Sequence, residues 1–544
     1  MPIKINQTLL FAGMFLLIFI IGMYHIPLME HDATQYATMG MQMLQNGDWL
    51  QIYWRTVSYL DKPPLIFWTS AVSFAVMDYS HFAYRLPSVL VLLLGIYSLY
   101  RLALNYLDEA RALLVPMVFV SFVAAPLMWL DVRTDTMLTG WIAFTLWQTD
   151  RWLNEQKIKN LIGLSVGIGF SLLTKGPIGL MVPLLAFGFD MLMQKKLSLL
   201  INKDLWLIPV IVGLMLLPML IGLYLQHGTT GVKFYFWTQS FGRLTGENVW
   251  RDESGPLFFV HTLLWLSLPW TLFLLRGLWL YAKGIFQGRL KQGGFLFWGF
   301  VLPFIAFSLS TYKLPHYLYV ILPFAAILVV HGLSAQSGGG LNFILKVQHI
   351  VLLLMVLLVL AMTYVLGYTA LFVFLVVGFI SIIVYFKFKS VSLLERALSG
   401  SLIIMLMVNS FLVFGFYPEL LRYQAGSKVA LRLNELYDPR VPRCFYNQHR
   451  PAFDFYSHEI VPDFKSIHQI DSALTLHPVW YVFTNFQGVK SLDQEGYELI
   501  EMETFADIKV TQLSALYLTE SGRQQMADTI YILRISRLDS VAQR

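Results

Sequence analysis

This chain has almost no cysteine. Cys444 stands alone among 544 residues, so no intramolecular disulfide can form and no thiolate cluster can hold a metal. Charge is scarce as well. Only 13% of the residues are Asp, Glu, Lys or Arg, against roughly 25% in an ordinary soluble domain, which excludes a soluble enzyme of usual composition. The chain lacks a glycine-rich phosphate loop, an internal repeat and any low-complexity tract; the short SGGG at 337–340 is a connector. No small-residue cleavage site follows the first apolar run at 8–28, where Pro27, Leu28 and Met29 stand instead. That run reads as a retained first span.

What is abundant is apolar: 57% of the chain is hydrophobic, with 41 Phe and 22 Met that are most simply lipid-facing and core residues. A span needs about 20 mostly apolar residues. Thirteen intervals qualify as candidates, near 8–28, 84–105, 112–130, 136–153, 159–173, 176–193, 205–226, 256–281, 295–311, 317–334, 346–367, 369–386 and 395–417. The pair on either side of Gly176-Pro177 is the shortest. With the N-terminus in the cytoplasm, one set of connectors collects Arg111, Arg151, Lys157, Lys195, Lys196, Lys203, Arg276, Lys283, Arg289, Lys346 and Arg396, as the positive-inside rule requires. The other face receives 29–83, 131–135, 174–175, 227–255, 312–316 and everything after 418. Composition changes there. The tail 418–544 is polar and mixed, with strand-like VWYVFTNF and TIYILRI and a helical GSKVALRLNELY.

The expected architecture is mainly α: a polytopic helical bundle of about thirteen spans over 1–417, with a small α/β domain, 418–544, on the outer face. Within the first outer loop, 29–83, the apolar stretch PPLIFWTSAVSFAVM is short for a span and suits a helix lying in the interface.

The unusual residues collect on the outer face. Ionisable groups at span ends are costly unless paired or functional. Asp32, in EHDATQYA after the first span, is a helix cap at the membrane surface or a carboxylate acting on a polar substrate. Glu30, His31 and Asp32 are also conceivable metal ligands, although three consecutive residues rarely converge on one ion; a divalent metal is therefore possible, and no reading of the residues requires a cofactor. Asp135, in WLDVRTDTMLTGW, belongs to a local ion pair around Arg133 or to a site. LDKPPLIFW, at 60–68, poses the same choice. Pro63 and Pro64 suit a helix start, while Lys62 stands where an anion is favoured. Lys62, Lys175, Arg243 and Lys313 come from four distant stretches and map to one face, with His316 and Tyr317 beside the last. Any one of them could snorkel; together they point to a phosphate, which draws Lys and Arg through charge-assisted hydrogen bonds.

In this order the motifs resemble those of the C-type membrane glycosyltransferases, in particular the protein O-mannosyltransferase and lipid A aminoarabinose transferase group. EHDATQY at 30–36 resembles the family's first-loop motif, and GDWL at 47–50, LDKPPLIFW and YRLPS at 84–88 fit the same loop and its exit. VRTDTML at 132–138 resembles the second acidic motif. LTKGPIGLMVP at 173–183, FWTQSFGRL at 236–244 with the SGPLFF and LPW that follow, and STYKLPHYLYVILP at 310–323 match later segments. Thirteen spans and an outer tail look more like the aminoarabinose branch. Two positions depart from the family pattern: Ala33 follows Asp32 where an acidic residue is frequent, and Gln35 replaces a basic residue. The acidic residue before Lys-Pro-Pro is kept as Asp61.

The resemblance implies a bacterial inner-membrane enzyme with a periplasmic C-terminal domain. It would move a sugar, with inversion, from a polyprenyl phosphate, undecaprenyl phosphate in a bacterium, and take neither a nucleotide sugar nor a nucleic-acid partner. Asp32 and Asp135 would be the catalytic carboxylates. Lys62, Arg243, Lys313, Tyr317 and Lys175 would hold the donor phosphate, and Tyr36, Asp61, His31 and His316 would contact substrate. The acceptor would be lipid A or another glycan or protein; protein O-mannosyltransferase-like transfer to a hydroxyl is the alternative. A transporter or flippase, and an inactive polyprenyl-phosphate-binding scaffold, are the rivals from other classes. Transporters place charge near the midplane on repeated, broken helices, whereas here it gathers at one surface.

Overall fold

The computed structural model describes residues 5–537 except 197, 199–200, 240–241, 243–253, 291, 335–339, 368–370, 372, 374–375, 379, 381–383, 385–392, 439 and 512. The interval 369–386 therefore lies largely outside the described residues, and each of the other twelve intervals is helical. Among the described residues six helices are long and apolar enough to cross a membrane: Asn6–His25, His81–Ala103, Lys203–Thr238, Pro315–Ser334, Leu341–Leu366 and Leu393–Tyr423. A seventh forms if Phe258–Leu266 and Thr271–Phe286, bent by 114°, count as one. Several expected spans are shorter or broken. Residues 112–130 divide into Leu114–Val120 and Ala125–Leu130, the second opening on Pro126. The bend at 267–270 contains Pro269, whose ring removes a helix donor. Ile178–Met193 and Phe295–Ser308 are short apolar helices.

The helix Thr134–Glu155, which carries Asp135 in its first turn, packs against His81–Ala103 and Ile158–Lys175. Its crossing with His81–Ala103 is made by two glycines: a β-carbon on Gly95 would lie 2.6 Å from the Cα of Gly140. Small residues let helix backbones approach this closely.

The first loop holds more structure than its polar sequence suggests. Asp32–Asn46 is a helix, Tyr53–Trp54 (β1) and Val57–Ser58 (β2) form a short antiparallel ribbon, and Leu65–Met77 is a helix of 13 residues. At 1.5 Å per residue the last is about 20 Å long, short of a bilayer core, as the sequence suggests. One side chain fixes both ends of this region. Arg85, fully buried, donates to the carbonyls of Leu130 (2.8 Å), Met23 (3.0 Å), Ile26 (2.5 Å) and Pro27 (3.0 Å). Its neighbour Tyr84 donates to the carbonyl of Val132 at 3.0 Å. The exit of the first helix and the Asp131–Arg133 turn are thus tied to one point.

The C-terminal domain carries a mixed sheet. β3 (Arg443–Tyr446), β4 (Asp463–Phe464), β5 (Val479–Asn485), β6 (Tyr497–Asp507) and β7 (Asp528–Arg537) lie in the order β4-β3-β5-β7-β6. β3 is parallel to β4 and β5, and β7 is antiparallel to β5 and β6. VWYVFTNF and TIYILRI are strands and GSKVALRLNELY falls on the helix Ala425–Leu436, as their patterns predict. Cys444 is buried in the sheet core with Val482, Leu533 and Ile535. The domain docks on the first loop: the helix Pro451–Ser457 packs against Asp32–Asn46, and Arg55 pairs with the buried Asp454.

Replacing Arg85 by Met leaves four carbonyls without that donor. With an unsatisfied buried polar group worth about 1–3 kcal/mol, Arg85→Met should lower stability by about 3 kcal/mol or more. Thermal unfolding of the detergent-solubilised protein checks this; an unchanged midpoint would show the clamp to be redundant.

Candidate active site

At the end of the bundle that carries the C-terminal domain, four parts of the chain meet around a cavity of about 900 Å³, its open mouth included. The first loop contributes Asp32, Gln35, Tyr36, Tyr59, Asp61 and Lys62. The turn before and the start of Thr134–Glu155 give Arg133, Thr134 and Asp135. Lys175 ends its helix, and Tyr312, Leu314, His316 and Tyr317 come from the late segment. The charges are arranged in pairs. Arg133 bridges two carboxylates, Asp32 at 2.6 Å and Asp131 at 2.9 Å. Lys175 Nζ lies 2.5 Å from Asp135 Oδ1, and His316 Nε2 is 3.7 Å from Asp135 Oδ2. Lys62 Nζ is 2.5 Å from Asp61 Oδ2, and Gln239 donates to both the side chain and the carbonyl of Asp61. The Lys175 ammonium also sits 4.4 Å from the ring centre of Tyr317, a cation–π contact.

Two phenols, Tyr36 and Tyr59, stand among these pairs on the chamber wall. Burial, reinforced by the Asp61 and Asp32 carboxylates, pushes the Tyr59 hydroxyl well above its ordinary value; burial, Tyr59 and Asp32 do the same to Tyr36. Both remain neutral hydroxyls able to donate. Tyr59 and Arg133 carry much of the site and were not picked out as site residues from sequence. The signal for Arg133 was its place between Asp131 and Asp135; Tyr59 lay unmarked beside LDKPPLIFW.

Asp32 is the first residue of its helix, and that helix has no side-chain cap, so the capping role does not describe it. Asp135 takes Lys175 rather than its sequence neighbour Arg133, because the helix that begins at Thr134 carries it away from Arg133. The Pro-Pro pair does open a helix, with Pro64 preceding Leu65, and Lys62 lines the cavity. Two residues fall elsewhere. Lys313 is buried and donates to the carbonyl of Ser254 at 3.1 Å, while Tyr312 and Leu314 line the cavity on either side of it. His31 is exposed and is not among the lining residues. Arg243 lies outside the described residues. Glu30 turns away from Asp32 and into the C-terminal domain, where it accepts from the backbone of Ala452 at 3.1 Å. The two carboxylates therefore do not converge on an ion, and among the described residues no group of three His, Cys, Asp or Glu is placed to hold a metal.

Next to this polar cavity runs a second, narrower one of about 490 Å³. Leu50, Ile52, Pro63, Pro64, Met219, Leu223, Phe234 and Tyr235 give it apolar walls. Tyr59, Asp61, Lys62 and Lys175 line both. An amphiphile with an anionic group at the junction would meet two ammonium groups there and lay its apolar part along the second space.

The chain folds as a mainly helical, multi-span bundle with a small C-terminal mixed sheet, an ArnT-like fold. The structure superposes on ArnT from Cupriavidus metallidurans bound to undecaprenyl phosphate with a TM-score of 0.74 and 17% sequence identity, over 97% of this chain and 98% of that one. Its apo state gives 0.73 and 16%, over the same shares of the two chains. Residues 61–221 match the family model described as dolichyl-phosphate-mannose-protein mannosyltransferase. The chain is homologous to undecaprenyl phosphate-alpha-4-amino-4-deoxy-L-arabinose arabinosyl transferases. It is 28% identical to one from Pseudomonas fluorescens over 337 residues, 60% of each chain. It is 24% identical to one from Yersinia pestis over 332 residues, 58% of this chain and 57% of the other. The chain thus aligns in sequence with about 60% of the length of these relatives.

In the Asp135–Lys175 pair the carboxylate is buried and the ammonium side chain is 12% exposed. Removing one partner of a buried ion pair costs about 3–5 kcal/mol, much of it the charge left behind. Lys175→Met should destabilise by that order, and Lys175→Met with Asp135→Asn should recover more than half. Thermal unfolding of the two single variants and the double variant measures the coupling; additive losses would show that the contact is incidental.

Proposed function

We propose that this protein is a polyprenyl-phosphate-sugar-dependent glycosyltransferase, an arabinosyltransferase-like enzyme that moves 4-amino-4-deoxy-L-arabinose from undecaprenyl phosphate to lipid A. The observation that carries the reading is the junction of the two cavities. Lys62 and Lys175 stand where an apolar trough meets a polar chamber, which is where the phosphate of a prenyl donor must lie if its tail follows the trough. The names of the homologous transferases supply the sugar and its undecaprenyl phosphate carrier, and the resemblance of the motifs to the lipid A aminoarabinose transferases supplies the acceptor. Three carboxylates, Asp32, Asp61 and Asp135, line the chamber, a setting suited to a sugar bearing an ammonium group.

In transfer, an acceptor oxygen bonds to the anomeric carbon from the face opposite the leaving group. The bond from that carbon to the donor phosphate oxygen breaks, leaving polyprenyl phosphate with one more negative charge. Lys62 and Lys175, with Arg243 in the role its motif implies, would stabilise that charge. Preorganised cations at the atom where charge develops are usually the largest catalytic contribution. Lys313, held on Ser254, would act from behind Tyr312 and Tyr317. Asp32 has one oxygen engaged by Arg133, leaving the other for the sugar or acceptor. With a phosphate acceptor no proton need be removed, so this paired carboxylate orients its ligand and offsets positive charge at the anomeric centre. With a hydroxyl acceptor the same residue would take the proton. Asp135, tied to Lys175, would set the position of that ammonium.

Arg151 and Lys157 lie at the far end of the helix Thr134–Glu155 from Asp135, and basic residues gather on the cytoplasmic side, which supports a cytoplasmic N-terminus and a periplasmic site and C-terminal domain. Such an enzyme belongs in a bacterial inner membrane, where both lipid substrates reach it laterally.

Incubating the purified protein with undecaprenyl-phosphate-linked aminoarabinose and lipid A, and reading the mass of the product, tests the proposal. The product should carry the added sugar, with free undecaprenyl phosphate released in equal amount. Asp32→Asn and Lys62→Ala should each lower turnover by about a hundredfold or more while unfolding within a few degrees of the parent. Near-parental turnover in either variant would remove that residue from the mechanism. Release of polyprenyl phosphate only with another acceptor would keep the reaction and change the substrate.

A further inference from the structure

None of the residues lining the chamber lies beyond 418, yet the segment that presents Asp32 is held by the C-terminal domain. The backbone N–H of Leu28 donates to the Tyr456 hydroxyl at 2.7 Å. Gln424 accepts from the N–H of Glu30 at 2.9 Å and donates to the carbonyl of Leu28 at 2.8 Å. The Glu30 side chain, 6% exposed, enters the domain and accepts from the N–H of Ala452. Arg450 stands 3.8 Å from its second oxygen. Arg450 is itself fixed by Asp507, which takes its Nη2 at 2.5 Å and its Nε at 2.9 Å. Asp507 also accepts from the N–H of Ala425 at 2.9 Å, one residue past Gln424. The fit is tight: a β-carbon on Gly426 would lie 2.7 Å from the Glu30 carboxylate.

Glu30 is two residues from Asp32, and Arg133 holds Asp32 from the other side. A carboxylate gripped from a membrane helix and from a soluble domain has its position set by both. We propose that Arg450, seated between Asp507 and Glu30, is a positioning residue for Asp32, so that the C-terminal domain is part of the transfer site although no atom of it lines the chamber. The inference rests on the reading of that chamber as the site of sugar transfer.

The charge on Glu30 offers an independent handle. Burial pushes its carboxyl up to about 8, against the Arg450 guanidinium and with the help of Asp507 and Asp454. A raised carboxyl favours the docked state in its protonated form. That contribution is complete below the ordinary carboxylate value near 4.5 and is lost as pH rises to about 8. The grip on the first loop therefore loosens toward alkaline pH.

The test compares the full-length protein with Arg450→Met, Arg450→Lys and Glu30→Gln by turnover and by hydrogen–deuterium exchange over residues 28–46. Arg450→Met should lower kcat about tenfold or more, since misplacing a reacting group by an ångström costs on that order or beyond. The donor KM should stay within about twofold, because the phosphate cations lie on other elements. Arg450→Lys should recover part of the loss. Exchange over 28–46 should rise in Arg450→Met. In the parent, kcat should fall as pH climbs through 8, and Glu30→Gln should abolish that fall. Parental kcat and unchanged exchange in a folded Arg450→Met would overturn the proposal. Should that variant fail to fold, Asp507→Asn, which frees Arg450 without removing it, replaces it with the same expectations. If the parent transfers no sugar at all, the proposed function fails; exchange over 28–46 still decides whether Arg450 holds the loop.

Discussion

Charge at the rim of a helical bundle must be paired, and this constraint decides which parts of the chain meet. A carboxylate left alone between membrane helices would lose its hydration without compensation. Asp135 is nearly sealed from water and is neutralised by Lys175, forty positions away at the end of the next helix. Asp32 finds Arg133, 101 positions away. Each pair joins a different segment to the helix Thr134–Glu155 or the turn before it. The Gly95–Gly140 crossing then holds that helix against its neighbour. Moving any one of these elements would separate opposite charges in a region where little water can replace them.

The same pairing explains how a chamber can hold Lys62, Lys175 and Arg133 without a bound anion, since Asp61, Asp135 and Asp32 balance them. Lys62 and Lys175 are each balanced by a carboxylate while remaining on the chamber wall. A phosphate entering at their junction exchanges one set of ion pairs for another, so the desolvation of the ammonium groups is already met in the resting protein. The apolar trough beside them adds no polar competitor. Its walls come from the first-loop Pro-Pro turn and the helix Leu207–Lys233, so one short stretch of sequence furnishes both the ammonium and the apolar lip.

The residues most legible in the sequence were those that break its composition. Lys62, Asp135, Lys175 and Tyr317 stood out because ionisable and polar groups at span ends need a reason, and all four line the chamber. The strands of the C-terminal domain were legible through their β-branched and aromatic runs. Partners were not: nothing local says that Asp135 takes Lys175 and leaves Arg133, since that choice follows from helix phase and tertiary packing. The helix Asp32–Asn46 was hidden because its buried face is built from Thr, Met, Ala and Gln, a face that reads as polar until the helix Leu65–Met77 and the C-terminal domain cover it. Apolar runs at 112–130 and 256–281 were continuous in composition, while the backbone breaks within them. Hydropathy records what can face lipid and not where a helix ends.

The first loop shows why a soluble domain belongs on a membrane enzyme of this kind. Residues 29–83 are too long to be fixed by their two ends, and ordering each residue's backbone costs about 1–2 kcal/mol. A chemical site needs its groups within about half an ångström of the productive geometry. The bundle alone holds one side of the loop, through Arg85 and Arg133. The other side faces away from the spans, and lipid offers it no hydrogen-bond partners. Tyr456, Gln424, Ala452 and Asp454 provide those partners. With the loop clamped from both directions, the segment that carries Asp32 is ordered by the folding of the C-terminal domain, and in the proposed reaction that order would not have to come from binding substrate.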